Sequence, residues 1–198
     1  MLPIGEYRYQ IRRDGETIAT ERTLVAENSV SAIRQSLGGH MRHEMDAAIG
    51  AGGVLARVSI RYASALFNRN AVYEAAEENL RGSISAMAGR NEVIVKLGRF
   101  REIDPAGFAF ARALTIAHVR ARGQSRWTGR VAVIDPGTLV ASSIKQNCRA
   151  RDDAGLAWIY EPRMGDAEEL EIDENGRLLR RRDNRQIETI LESFAAAG

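Results

Sequence analysis

The sequence predicts a mainly β protein: an antiparallel up-and-down β-barrel, closed or open, of about ten strands with one inserted helix near 105–122. Three observations predict it. Apolar and polar residues alternate with a period of two in strand-length runs. Asp-Gly, Asn-Gly and Gly-Gly turns separate those runs. The period changes once to that of a helix, after Asp104-Pro105.

The elements follow in order. Tyr7, Tyr9 and Ile11 alternate with Glu6, Arg8, Gln10 and Arg12; Asp14-Gly15 reverses the chain, and Thr17 to Val25 runs back as the second arm of a hairpin. Ser29 to Leu37 stops at Gly38-Gly39, which favours a strand and a turn over a helix. Met41, His43, Met45, Ala47 and Ile49 form one stripe against Arg42, Glu44 and Asp46, a half-buried strand with a histidine on its apolar side. After a glycine-rich turn, Val54, Ala56, Val58, Ile60 and Tyr62 alternate with Leu55, Arg57, Ser59 and Arg61. Asn68 to Asn70 reads as a turn, with Ala71 to Ala76 and Leu80 to Met87 as shorter strands around Glu77 to Asn79. The first of these short runs also suits a helix, being rich in Ala and Glu. Val93, Val95 and Leu97 form a further stripe, opposite Glu92, Ile94 and Lys96.

Asp104 then offers an N-cap and Pro105 a first helical position. Phe110, Leu114, Ala117 and Ala121 recur at helical spacing, and Gly123 suits the C′ site, so Pro105 to Arg122 reads as a helix covering or plugging the barrel. Alternation resumes at Arg126 to Ile134, with Trp127, Val131 and Val133 on one side. A turn at Asp135 to Gly137 leads into a strand from Thr138 to Arg149, and Leu156 to Tyr160 is strand-like. Glu168 to Asp173 and Arg177 to Arg182 make a hairpin about Asn175-Gly176; Arg185 to Phe194 fits either strand or helix.

Composition bounds the function. The 198 residues, 44% hydrophobic, suit a single β-barrel domain spanning 1-198. Acids and bases are mixed, for a net charge of +2, which gives no polyanion footprint and argues against nucleic acid as a partner. Cys148 stands alone, so no intrachain disulfide forms. No run approaches the ~20 apolar residues that span a bilayer, so no membrane insertion is expected. The start Met1 to Gly5 enters a strand directly, without the pattern of an export signal, so the expected location is cytoplasmic, or periplasmic if a signal peptide has been removed. A homo-oligomer is compatible with all of this.

The sequence has no Walker loop, GxGxxG fingerprint, HExxH motif or GxSxG elbow. His40 and His43, three apart on a strand, face opposite sides and cannot share a metal, so no metal and no cofactor are expected. His43 is the leading candidate acid–base group, because its stripe points inward, where an imidazole moves protons. Tyr62 ends the neighbouring inward stripe and is its candidate phenol partner. A chain with 26 Arg and two Lys draws attention to Lys96 and Lys145, because burial lowers the pKa of lysine and makes it a base or a Schiff-base amine. Trp127, Tyr160 and Tyr9 are candidate flat walls for a substrate, and Arg126 or Arg130 a candidate partner for its carboxylate or phenolate. Against each stands a plainer role: a hydrogen-bonded core histidine, packed aromatics, surface cations.

The Tyr7/Tyr9 hairpin with Asp14-Gly15, the helix opening at Asp104-Pro105, and the late order Asp135-Pro136-Gly137-Thr138-Leu139, Leu170 to Asp173 and Asn175-Gly176-Arg177 together resemble the lipoprotein-carrier type of open β-barrel and its single-domain relatives of unknown function. The resemblance implies a chamber for acyl chains or other apolar ligands and no catalytic signature. Two functions are therefore expected. One is a cofactor-independent lyase acting by acid–base chemistry on an apolar aromatic substrate, for example eliminating formaldehyde from a lignin-derived aromatic dimer in aromatic compound catabolism. The alternative is a non-catalytic carrier of a lipid or other hydrophobic ligand. Either way the partner is an apolar or aromatic small molecule.

Overall fold

The structure, a computed structural model, describes residues 2–87, 89–99, 101–105, 107–162 and 166–197. Its strands are β1 (Gly5–Arg13), β2 (Glu16–Val25), β3 (Ser29–Ser36), β4 (Met41–Ile49), β5 (Leu55–Ser64), β6 (Asn68–Ala76), β7 (Asn79–Ala86), β8 (Gly89–Lys96), β9 (Ile103–Pro105), β10 (Arg126–Ile134), β11 (Ala141–Ala150), β12 (Ala157–Pro162), β13 (Glu168–Ile172), β14 (Leu178–Asp183) and β15 (Ile187–Ala196). They form one 15-stranded sheet in the order β8-β7-β6-β5-β4-β3-β2-β1-β15-β14-β13-β12-β11-β10-β9. Every neighbour is antiparallel except β9, which runs parallel to β10. The first and last long strands pair side by side, and β8 and β9 are the two edges, so the sheet stays open.

The antiparallel up-and-down architecture is as predicted, with more strands than the ten expected. The strand segments that the pattern left as turn, helix or ambiguous have little pattern of their own. Asn68 to Asn70 opens β6 instead of turning, the ambiguous tail pairs with both β1 and β14, and Ile103–Pro105 makes a short edge. Backbone groups in a curved sheet need partners whatever their side chains, so a neighbouring ladder recruits such segments. β11 begins at Ala141, because Asp135 to Leu139 is spent in a turn whose Asp135 Oδ1 accepts from the Gly137 and Thr138 amides. The β5 stripe breaks parity at its start: a bulge pairs Ile49 with Leu55, so Leu55 is buried with Val58, Ile60 and Tyr62.

The helix α1 is Ala109–Ala121, four residues shorter at its start than predicted. Ala106 lies outside the described residues. Asp104 and Pro105 belong to β9, where a proline on an edge strand breaks no ladder bond. The Asp104 carboxylate is drawn inward to Arg112, so it is unavailable as an N-cap. Its place is taken by Glu21 of β2, whose Oε1 accepts the Ala109 N–H at 3.0 Å. The predicted C-terminus holds: Gly123 takes a positive φ of 65° and its N–H donates to the Arg120 carbonyl. Ten of the thirteen helical residues are buried, so α1 is the plug of the barrel and has no solvent stripe. One hydrophobic cluster joins it to the inward rows of the strands.

An up-and-down meander puts alternate turns at the same end. The β1–β2, β3–β4, β5–β6, β7–β8, β10–β11 and β14–β15 connections lie at one end, called here the mouth, together with the start of α1.

Candidate functional site

The strand register builds one row of side chains across the inner wall at the mouth. Tyr9 faces Glu21, Glu21 faces Arg34, Arg34 faces His43, His43 faces Tyr62, and Tyr62 faces Arg69. Period-two parity places each of them inward. Glu21 shares its side with Thr23 and Val25, Arg34 with Val30 and Ala32, His43 with Met45 and Ala47, and Arg69 with Ala71 and Tyr73.

One half of the row holds the plug. Arg34 Nη2 and Nε donate to Glu21 Oε2 at 2.5 and 3.1 Å, and Thr23 Oγ1 donates to Glu21 Oε1 at 3.1 Å. The Arg34 guanidinium stands 5.1 Å over the Phe108 ring, just before the helix. It also lies against Gly107, whose φ of 97° and lack of a side chain make room: a Cβ there would sit 2.6 Å from Arg34 Nη1.

The other half holds the β10–β11 loop across the mouth. His43 Nε2 donates to the Pro136 carbonyl at 2.8 Å, Arg69 Nη1 donates to the Gly137 carbonyl, and Tyr73 Oη donates to the Leu139 carbonyl at 2.6 Å. A carbonyl only accepts, so neutral His43 carries its hydrogen on Nε2. Its ring packs at a 38° tilt against Tyr62, centroids 4.6 Å apart, and Tyr62 in turn lies 5.4 Å from Phe67. Burial pushes the His43 pKa below its ordinary value of 6.5; Arg34 adds to the shift, and the Pro136 bond opposes it.

On the β9–β14 side of the interior lies an ionic cluster. Arg112 of α1 is buried between Asp104, which accepts from Nη1, and Glu168, which accepts from Nε at 2.6 Å; Arg181 reaches Glu168 at 2.7 Å. Burial alone would raise the Glu168 pKa, but Arg112 and Arg181 outweigh it and hold the carboxyl at about 2. Arg112 also stacks 4.2 Å over Tyr160, whose hydroxyl has no hydrogen-bond partner among the described residues. At the far end His118 sits between Glu102, 2.8 Å from Nδ1, and the Gly53 carbonyl, 3.0 Å from Nε2.

Of the residues singled out in the sequence, the structure joins His43, Tyr62 and Tyr9 in the mouth row. It separates the others. Lys96 is exposed beside Glu78, and Lys145 is exposed opposite Arg130, so both lysines lie on the outer face and neither is desolvated. Arg126 and Arg130 are also exposed, away from the interior. Trp127 is buried with its ring folded over Gly129, and Tyr160 is fully buried beneath Arg112; both are packed walls remote from His43 in the sheet order. Cys148 is buried, and that burial pushes its thiol up to about 12. Among the described residues no group of His, Cys, Asp or Glu has the geometry of a metal site.

The sequence reading missed Glu21, Arg34, Arg69, Arg112 and Glu168. Strand parity could have found most of them. Glu168 alternates with Leu170 and Ile172, as Glu21 does with Thr23 and Val25, and a charge in phase with an apolar stripe points inward. Arg112 was signalled only by its place in an alanine-rich helical run.

Two solved structures share the architecture. A DUF1089 family protein from Pseudomonas aeruginosa superposes with a TM-score of 0.59 at 17% identity, over 83% of this chain and 89% of the other. A β-barrel-like protein of the domain of unknown function DUF1849 from Brucella abortus superposes with a TM-score of 0.61 at 8% identity, over 100% and 99%. No protein-family model matches the chain. No curated protein matches it either. At these identities the likeness establishes the fold, a β-barrel-like domain held in common with proteins of unknown function.

Proposed function

We propose that the protein is a non-catalytic binder or carrier of an amphipathic small molecule, taken up at the mouth. The observation that carries this reading is the mouth row. His43 and Arg69 aim N–H donors at the oxygens of a loop that crosses the opening, above aromatic and apolar walls. An oxygen-bearing head group, such as a carboxylate or phosphate, would replace the Pro136 and Gly137 carbonyls on the same donors. Its apolar tail would pass Phe67, Tyr62 and Phe108. The loop is held by side-chain bonds worth about 1 kcal/mol each net, up to about 3 kcal/mol where the donor is charged, a barrier a ligand can offset. The resemblance to lipoprotein carriers belongs to this same proposal.

Of the acid–base candidates, His43 and Tyr62 face the mouth while Lys96, Lys145, Arg126 and Arg130 are turned outward, and Nε2 of His43 already serves the loop. Binding without bond cleavage asks less of the site. Native mass spectrometry of the purified full chain, with displacement of a fluorescent fatty acid, tests the reading. A bound amphiphile, displaced at least tenfold more easily from the H43A/R69A variant, is the expected result. Absence of any bound or competing amphiphile, with turnover of a hydroxymethyl aromatic dimer lost in H43A, would establish the lyase instead.

A further inference from the structure

Exposed apolar side chains are not spread evenly over this barrel. Of eleven large apolar residues exposed among the described residues, five lie at three hairpin tips of the mouth: Leu37 and Met41 at β3–β4, Leu66 and Phe67 at β5–β6, and Met87 at β7–β8. Leu66 and Met87 are the most exposed of all, at 86% and 91%. The three tips are consecutive at one end of the sheet. Each is two strands from the next, a spacing of about 10 Å.

Charge follows the same pattern. Residues 36–43, 64–70 and 85–91 contain no Asp or Glu, and each stretch carries an arginine beside its apolar tip: Arg42, Arg69 and Arg90. Arg42 leans on Glu44, and Arg69 stacks 4.6 Å from the Phe67 ring centroid. The rest of the mouth differs: the β1–β2 turn, the β10–β11 loop and the β14–β15 turn carry Asp14, Asp135 and Asp183, and Asp166 precedes β13. The apolar, acid-free surface is therefore confined to the β3–β8 part of the mouth.

We infer that the three mouth tips form a peripheral docking surface for an anionic lipid bilayer. Protruding, separated knobs suit a fluid hydrocarbon layer better than the flat, contiguous apolar core that a protein interface presents. Leu66, Phe67 and Met87 enter the acyl boundary, and Arg42 and Arg90 stay at the phosphates. The acid-free tips match the sign of the surface. This docking is independent of any ligand held inside, and the mouth is the end that would face the lipid.

Co-sedimentation of the full chain with vesicles tests it. The protein should bind phosphatidylcholine–phosphatidylglycerol vesicles, bind pure phosphatidylcholine at least about fivefold more weakly, and dissociate as salt rises. L66S/M87S should lose at least about tenfold in partitioning, and R42Q/R90Q at least about fivefold. These positions are exposed, so circular dichroism should remain unchanged; I94S, on an exposed apolar residue away from the tips, should bind normally. Absence of binding to anionic vesicles, equal binding to neutral ones, or full binding by folded L66S/M87S would overturn the inference. So would tips that capture a protein partner but no vesicle. None of these outcomes depends on whether an amphiphile co-purifies, so the docking and carrier readings fail separately.

Discussion

Glu168 is among the most consequential single residues, because it joins two arginines inside the barrel. Its folded pKa of about 2 lies below the ordinary 4.5, so the unfolded chain takes up that proton first as pH falls. The stabilisation it gives is full above about pH 4.5 and drains away as pH falls towards 2. E168Q should cost about 3 kcal/mol at neutral pH, since breaking a buried pair strands its cations, and should flatten the acid limb of a urea-midpoint-against-pH plot. A wild-type stability that does not fall on acidification would refute this role. Tyr160 makes the opposite case. Its ring packs under Arg112, but its hydroxyl is buried without a partner among the described residues. Y160F should therefore leave the thermal midpoint unchanged or raise it, whereas Y160A should cost about 3–5 kcal/mol for the lost ring. A loss above about 1 kcal/mol in Y160F would mean the hydroxyl is bonded.

For the elements, the start of α1 is decided by a side chain far from it in sequence. Glu21 accepts the Ala109 amide and anchors Arg34, which covers Phe108. E21A removes both the cap and the ion pair and should destabilise by about 3 kcal/mol or more. E21Q keeps an acceptor for the amide and should preserve helix-start protection while losing the Arg34 pairing. Hydrogen exchange over 109–113 separates the two: fast in E21A, near wild type in E21Q. Equal protection in E21A would show that the helix start does not depend on this cap. Asp104-Pro105 was a sound local signal for a helix start, and it failed because Arg112 and β10 each offered these residues a competing partner.

Taken whole, the molecule is an open sheet whose mouth is closed by a loop rather than by a ladder. That loop is strained as well as lightly held: Leu139 is buried with a φ of 60°, a region bulky residues avoid. Opening should therefore begin there. R69A/Y73F removes two of the three side-chain ties from the barrel wall among the described residues and should raise hydrogen exchange of the 137–140 amides by about tenfold or more, while the β1–β15 ladder at the sheet centre keeps its protection. Uniform loss of protection would mean that the loop supports the whole fold and is no local gate.

The chain's own residues determined the antiparallel meander, the inward rows and most turns, because a period of two is a local property that any strand shows without its neighbours. His43 and Tyr62 were legible as inward, adjacent residues for that reason, and the structure places their rings 4.6 Å apart. Tertiary structure alone decided what those residues do. That His43 serves a loop ninety-three positions away, that Glu21 caps a helix eighty-eight positions on, and that Lys96 and Lys145 face water while Arg112 does not, are all outcomes of how the sheet curls. A local pattern specifies which side of a strand a residue takes. Closure of the sheet around α1 specifies what lies opposite, and a side chain's chemistry is set by what lies opposite it.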